Sequence, residues 1–220
     1  MNTPTQQDED PRLERVLAGD TEVFAEVFAE HRDRLWRMVH FRLDRRLQGR
    51  VDADDILQEA FVDAVQRLEH FRTSQPMSLF VWLRLIVGQT LVDVHRRHLG
   101  AQMRDANREM SPQQQLSNGT SMSMSFHLLA HLTSPSQAAV RAELTGLVDE
   151  ALTGMNEIDR EVLALRHFEE LTNKEVAEVL GIDRKAASIR YVRALARLKD
   201  VLTHVPGFFD GDERQPGPDA

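Results

Sequence analysis

Thr172-Asn173-Lys174-Glu175-Val176-Ala177-Glu178-Val179-Leu180-Gly181-Ile182-Asp183-Arg184-Lys185 carries a helix start, a glycine stop and a second helix start within fourteen residues. Thr172 followed by Glu175 has the form of a capping box: the threonine oxygen accepts from the Glu175 amide, and the glutamate carboxylate reaches back to the start of the helix. The helix over 173–180 puts Val176, Ala177 and Leu180 on one side. Gly181 permits the left-handed conformation that ends a helix, and Asp183 is a cap for the next one. That second helix, Arg184 to about Leu202, is partitioned by charge. Ala187, Tyr191, Ala194 and Leu198 form a buried stripe, while Arg190, Arg193 and Arg197 share another face. From Arg184 to Lys199 there are six basic residues and no acidic one, a local +6 in a chain of net charge −8. A helix, a glycine turn and a basic helix make a helix-turn-helix whose second helix enters the DNA major groove. The bland alternative is a helical hairpin with a solvated basic face; the cap, the turn, the small Ala177 and the charge segregation favour DNA. Arg184, Lys185 and Ser188 stand at the end of the helix that reaches base edges. Arg193 and Arg197 are placed for phosphates.

Residues 137–205 around this motif form one helical domain, and 206–220, with three glycines and three prolines, read as a disordered tail. Upstream, 101–136 changes character: Met110 to Ser125 is rich in Gln, Ser, Asn and Met with little periodicity. Such a segment buries too little apolar surface to offset its ordering entropy and reads as a flexible linker, with Phe126, Leu128, Leu129 and Leu132 as a short docking helix inside it. Residues 11–100 are again helical: Val23, Phe24, Val27 and Phe28, then Leu35, Trp36, Val39 and Leu43, recur at spacings of three and four. Asp20 and Thr21 start a helix after Gly19. Residues 1–10 are polar and acidic and read as a second disordered tail. The expected fold class is all-α: two small helical domains on a flexible linker, the second holding the helix-turn-helix.

The first domain carries two further features. Asp52 to Glu69 holds six acids and one arginine. Ile56, Leu57, Ala60, Phe61, Ala64, Val65 and Leu68 make its apolar stripe, and Asp55, Gln58, Glu59 and Gln66 the opposite face. This is either a solvated face with carboxylates at the positive end of a helix or a docking surface for a basic partner. Downstream, a polar loop with Arg72, Thr73, Ser74 and Pro76 leads into an apolar helix through Phe80, Trp82 and Leu83. That helix ends in His95-Arg96-Arg97-His98. Hydrogen-bonding groups beside aromatic and basic side chains suit single-stranded DNA, although Phe80 and Trp82 also suit a core.

Composition closes several function classes. With no cysteine there is no disulfide scaffold, thiol nucleophile or cysteine-ligated metal, which is compatible with a reducing cytoplasm. No run approaches the roughly 20 apolar residues of a membrane span, and the polar start is no secretory signal. His127 and His131 have metal-ligand spacing but no local acidic partner, so no metal site is expected. With no phosphate-binding glycine loop and no triad, neither a cofactor nor catalysis is expected.

Taken together, the chain resembles bacterial RNA polymerase sigma factors of the extracytoplasmic-function class. The resemblance runs from about Leu13 to Val201. It is carried by Gly19-Asp20 with Phe24 and Phe28, and by Asp54-Asp55-Ile56-Leu57-Gln58-Glu59-Ala60-Phe61. Trp82-Leu83 with Asp93 and Arg96-Arg97 carries it further, as does Arg160-Glu161-Val162 running through Leu171, Glu175-Val176-Ala177 and Leu180-Gly181-Ile182 to Arg190, Arg193 and Ala194. It implies that Asp54, Asp55, Gln58 and Glu59 dock on the clamp coiled coil of core RNA polymerase. It implies that Arg72, Thr73, Ser74, Trp82, Gln89, His95, Arg96 and Arg97 handle the −10 element of promoter DNA. The −35 element would fall to Arg184, Lys185, Ser188, Arg190, Arg193 and Arg197. Melting would be driven by captured bases rather than nucleotide hydrolysis, in the cytoplasm and without membrane insertion, and an anti-sigma factor is an implied partner. Gly88-Gln89 stands where the family commonly has a basic residue and Asn, and Asp183 where it has Pro. A two-domain transcriptional regulator is the rival reading, but it leaves the acidic helix and the basic aromatic helix unexplained.

Overall fold

The computed structural model describes residues 11–74, 77–99, 112–117, 119–130 and 138–203. Both expected tails, Leu132 and His131 lie outside these. In the first domain α1 (Pro11–Leu17) packs on α2 (Thr21–Arg42), and α3 (Ala53–Ser74) and α4 (Leu79–Leu99) complete a helical bundle. Gly19 turns the chain at φ +92°. The Asp20 carboxylate then caps α2 by accepting from the Val23 amide at 3.1 Å. Helix α4 is buried all round over its first three turns, burying Phe80, Val81, Trp82, Leu83, Ile86, Val87 and Leu91, as a helix at the centre of a bundle must. Arg34, Arg37 and Arg42 of α2 project from the same bundle on the side that meets the second domain, whereas Arg32 pairs with Asp54 of α3.

The expected linker is more structured than its composition indicated. Within 101–136, α5 (Pro112–Ser117) and α6 (Thr120–Leu129) are helical. Leu116 sits against α4 at Gly88, where a Cβ would come within 2.8 Å of its Cδ1. This gives Gly88 a packing role. Met124 and Leu129 of α6 are fully buried, so a polar stretch is held by a few well-placed apolar side chains.

The second domain comprises α7 (Ala138–Thr153), α8 (Glu157–Leu163), a π-helical turn (Ala164–Phe168), α9 (Asn173–Leu180) and α10 (Arg184–Thr203). In the turn the Glu169 amide donates to Ala164 at 3.0 Å. From the end of α8 into this turn the side chains are divided between two cores. Val162 and Leu165 join the first-domain cluster, which runs through Phe24, Leu35 and Leu83 to Leu171, Val176 and Ala187. Leu163 and Ala164 join a second cluster with Phe41, Met124, Leu129, Val148, Leu152, Ala194 and Leu198. Both clusters cross the boundary between the domains, so the described residues form a closed arrangement.

Candidate polymerase and nucleic-acid interfaces

The acidic surface is built on α3. Ile56, Leu57, Ala60, Ala64 and Leu68 are buried as the spacing requires, which leaves Asp55, Gln58 and Glu59 exposed on the far side. Asp54 is half-buried and accepts from Arg32 of α2 at 2.7 Å. Beside these carboxylates, Ala25, Phe28, Ala29, Leu57, Phe61 and Val62 line an open groove of about 530 Å³ between α2 and α3. Val62, 54% exposed, projects from its rim. The face therefore offers charge beside apolar surface, the composition of an interface core with a polar rim. Val62 was not singled out in the sequence, where it is one more apolar residue in an apolar helix.

The loop and helix expected to take single-stranded DNA divide into exposed and buried members. Thr73 and Ser74 are exposed, their hydroxyls donating to the His70 carbonyl at 3.0 and 2.9 Å. Arg72 is tied to the Leu17 carbonyl and to Glu69. Trp82 is only 5% exposed. It stacks on Phe71 at 4.7 Å and leans on Phe24 at 6.4 Å, so here it is a core residue with no face open to a base. Gln89 accepts from Arg67 at 2.5 Å. His95 accepts from the Asp44 amide at 3.1 Å, and burial pushes its pKa down, keeping the ring a neutral acceptor. Arg96 and Arg97 remain exposed, Arg96 3.5 Å from Asp93 and Arg97 2.7 Å from Glu59. The Arg97–Glu59 pair joins this region to the acidic face.

The helix-turn-helix has the local geometry its residues require. Both halves of the capping box form, with the Thr172 amide donating to Glu175 at 2.7 Å and the Glu175 amide to Thr172 Oγ1 at 3.3 Å. Gly181 is left-handed at φ +62°. Asp183 accepts from the Lys185 amide at 2.7 Å and so starts α10 without the proline. Ala187, Ala194 and Leu198 are buried and Tyr191 half-buried. Arg184, Lys185, Arg193 and Arg197 are exposed, while Ser188 is half-buried. Arg190 is turned inward to Asp159 of α8 at 2.8 Å, which makes it a brace within the domain. Between the basic residues Ile189 and Val192 are 43% and 64% exposed. Apolar side chains there suit the methyl groups of thymine, and their position opposite Ala187 and Ala194 is the signal that finds them.

Sigma-70 region 2 matches residues 27–99 and sigma-70 region 4 matches residues 145–198. The chain belongs to the sigma-70 family, in its extracytoplasmic-function class. It is 24% identical over 192 residues to the ECF RNA polymerase sigma factor SigW of Bacillus subtilis, covering 87% of this chain and 95% of that protein. It is 25% identical over 198 residues to the RNA polymerase sigma-H factor of Pseudomonas aeruginosa, covering 90% and 95% respectively. The solved structure of CnrH in complex with the cytosolic domain of CnrY matches with a TM-score of 0.49 at 22% identity, covering 87% of this chain and 95% of the matched one. The matched regions make this chain a sigma factor that directs promoter recognition in transcription initiation, with core RNA polymerase and promoter DNA as partners. No described helix is long and apolar enough to cross a membrane. Among the described residues no group of three His, Asp or Glu could hold a metal ion. His127 packs against Phe41 at 5.4 Å and Phe168 at 6.0 Å.

Proposed function

We propose that this sigma factor seats the exposed face of α3 on the clamp coiled coil of core polymerase. Asp55 and Glu59 would supply charge, Gln58 a hydrogen-bonding amide, and the groove at Val62 apolar contact. The observation that carries this reading is the coincidence of exposed carboxylates with an open apolar groove on one face. Thr73, Ser74, Arg96 and Arg97 then meet the −10 element, with Trp82 supporting the loop from inside through Phe71. Arg184, Lys185, Ser188, Ile189 and Val192 address the −35 bases, and Arg193 and Arg197 the flanking phosphates. Melting is non-catalytic: unstacked bases are held by contacts that offset an unstacking cost of a few kcal/mol per step. The chain works in the cytoplasm, where the polymerase is, and an anti-sigma factor is the expected external regulator.

Co-purification with core polymerase tests the docking face. Wild type should be retained, and the Asp55→Arg, Glu59→Arg double variant should be lost from the complex while keeping its helical circular dichroism. Retention of that variant would remove α3 from the interface.

A further inference from the structure

Among the described residues, the first domain leaves two of its cations without an acid. Residues 11–99 contain arginine but no lysine, and every guanidinium there but two is ion-paired. Across the seam to the second domain, Arg34 meets Glu175 at 2.8 Å and Arg37 meets Glu170 at 3.0 Å. Arg42 meets Glu161 and Glu169 at 2.5 Å each, and Arg84 meets Glu169 at 2.7 Å. The other arginines pair within the domain. Arg45 and Arg50 are the exceptions: both are exposed, and neither has a carboxylate partner among the described residues.

Both stand on loop 43–51, between α2 and α3. The Asp44 carboxylate accepts from the Arg46 amide at 2.8 Å and from the Arg46 guanidinium at 2.8 Å, so the one acid of the loop is already occupied. Leu47, 2% exposed, plugs the loop into the core. Gly49 takes φ +81°, and the Val51 amide turns back to the Leu47 carbonyl at 3.1 Å. The Arg45 guanidinium lies over the Phe126 ring of α6, 4.0 Å from its centroid. A ring engages the face of a guanidinium and leaves the in-plane N–H donors to an acceptor beyond it. Arg45 also lines, with Arg46, Gln48, His95 and Ser123, an open cavity of about 420 Å³, so an anion has room beside those donors.

The loop is fastened to the end of α4. The Asp44 amide donates to His95 Nε2 at 3.1 Å, immediately before the exposed Arg96 and Arg97. Unpaired arginines thus continue the surface already assigned to DNA. The clamp partner inferred for α3 is basic, and these charges would repel it. A repeating anion suits them better.

We propose that loop 43–51 is a backbone-phosphate site for the duplex DNA that flanks the −10 element, with Arg45 and Arg50 each taking one phosphate. The inference rests on the assignment of Arg96 and Arg97 to that element. The loop fixes the course of the strand past the end of α4 and adds affinity without base preference.

The test is fluorescence anisotropy of the full chain on mixed-sequence duplexes of about 30 base pairs, between about 50 and 200 mM salt. Arg184→Gln, Lys185→Gln, Arg193→Gln, Arg197→Gln removes exposed cations of α10 and serves as the background, so that binding by the first domain is seen. Adding Arg45→Gln, Arg50→Gln should lower the slope of log affinity against log salt by about 1.8. The affinity ratio of the two proteins then shrinks roughly twelvefold across that range. Arg45→Lys, Arg50→Lys should restore the slope because both charges return, which a role confined to packing on Phe126 would not do. Duplexes of different sequence should lose binding equally. An unchanged slope, or a background with no duplex binding to lose, overturns the proposal. Loss of core-polymerase retention in place of DNA binding overturns it in favour of a polymerase contact. Displacement of the duplex by millimolar inorganic phosphate at constant ionic strength would make this a free-anion site instead. The same loop substitutions in the otherwise native chain keep the test valid if the background unfolds. Failure of the −10 assignment registers separately: Arg96→Gln, Arg97→Gln would then leave duplex binding unchanged while the loop variant lowers it.

Discussion

The acidic face of α3 and the seam between the domains are built from the same pair of groups, a guanidinium and a carboxylate, and put them to opposite use. Arg97 and Glu59 are 54% and 48% exposed at the side chain, whereas Arg42 and Glu169 are 2% and 0%. An exposed pair contributes about 0–1 kcal/mol because water and salt compete for both partners. It can therefore be exchanged for a partner's charges at little cost. A buried pair has already lost its water, and removing one member strands the other. Position in the fold, not chemical identity, separates a surface made to be exchanged from a joint made to hold.

The largest effect should come from Arg42→Met. It leaves Glu169 with Arg84 alone and Glu161 without its guanidinium, and it should cost roughly 3–5 kcal/mol in urea unfolding of the whole chain. A loss under 1 kcal/mol would place the seam with the exposed pairs and erase the contrast. Acidification should act next. Burial, with Arg34 nearby, lowers the His31 pKa, and burial lowers that of His95, so both hold a proton less readily when folded. An unfolded chain therefore binds more protons, and their stabilisation is complete above the ordinary value of 6.5 and lost as pH falls below it. Burial pushes the Glu169 carboxyl up, but Arg42 and Arg84 outweigh it, and Arg34 does the same for Glu175, so both lie below the ordinary 4.5. Their contribution is present above 4.5 and disappears as pH drops further. Urea midpoints should be flat from pH 8 to about 7 and then fall in two stages; a midpoint rising on acidification would contradict both assignments.

Thr172→Ala should cost about 1 kcal/mol by opening the capping box, and Thr172→Ser should restore most of it. Equal loss in both variants would show that the hydroxyl is not the cap. The smallest change in stability is expected for Glu59→Ala, within about 1 kcal/mol, together with weakened retention by core polymerase. Glu59→Ala should thus lose binding without stability, whereas the seam variant should lose stability first.

What could be read from residue order follows the same division. The helix-turn-helix was legible because its determinants are local: Thr172 caps a residue three positions away, Gly181 turns, and Asp183 caps two positions on. The acidic face of α3 was legible because one helical period sorts its residues. The seam was not, because Arg42 finds Glu161 and Glu169 across 119 and 127 residues, and no periodicity links them. Trp82 and Trp36 show the limit within single helices. Spacing put Trp36 with the core, yet it is 36% exposed and stacks on His40, while Trp82, weighed as a base-stacker, fills the core. Over Phe80–Leu91 α4 has no exposed polar face to orient its reader, and Trp36 stands on the amphipathic α2 beside exposed charged residues, so in both cases the neighbours decide which aromatic ring meets solvent.

The order of the seam's partners along the chain has a consequence during synthesis. Arg84 precedes Glu169 by 85 residues, which is roughly 4–17 s of translation at about 5–20 residues per second. For that interval the first half of each newborn molecule exists without the carboxylates that will cover it. Until then the Arg42 and Arg84 guanidiniums have none of their partners from the second domain, so the seam is completed only after most of the chain has been made.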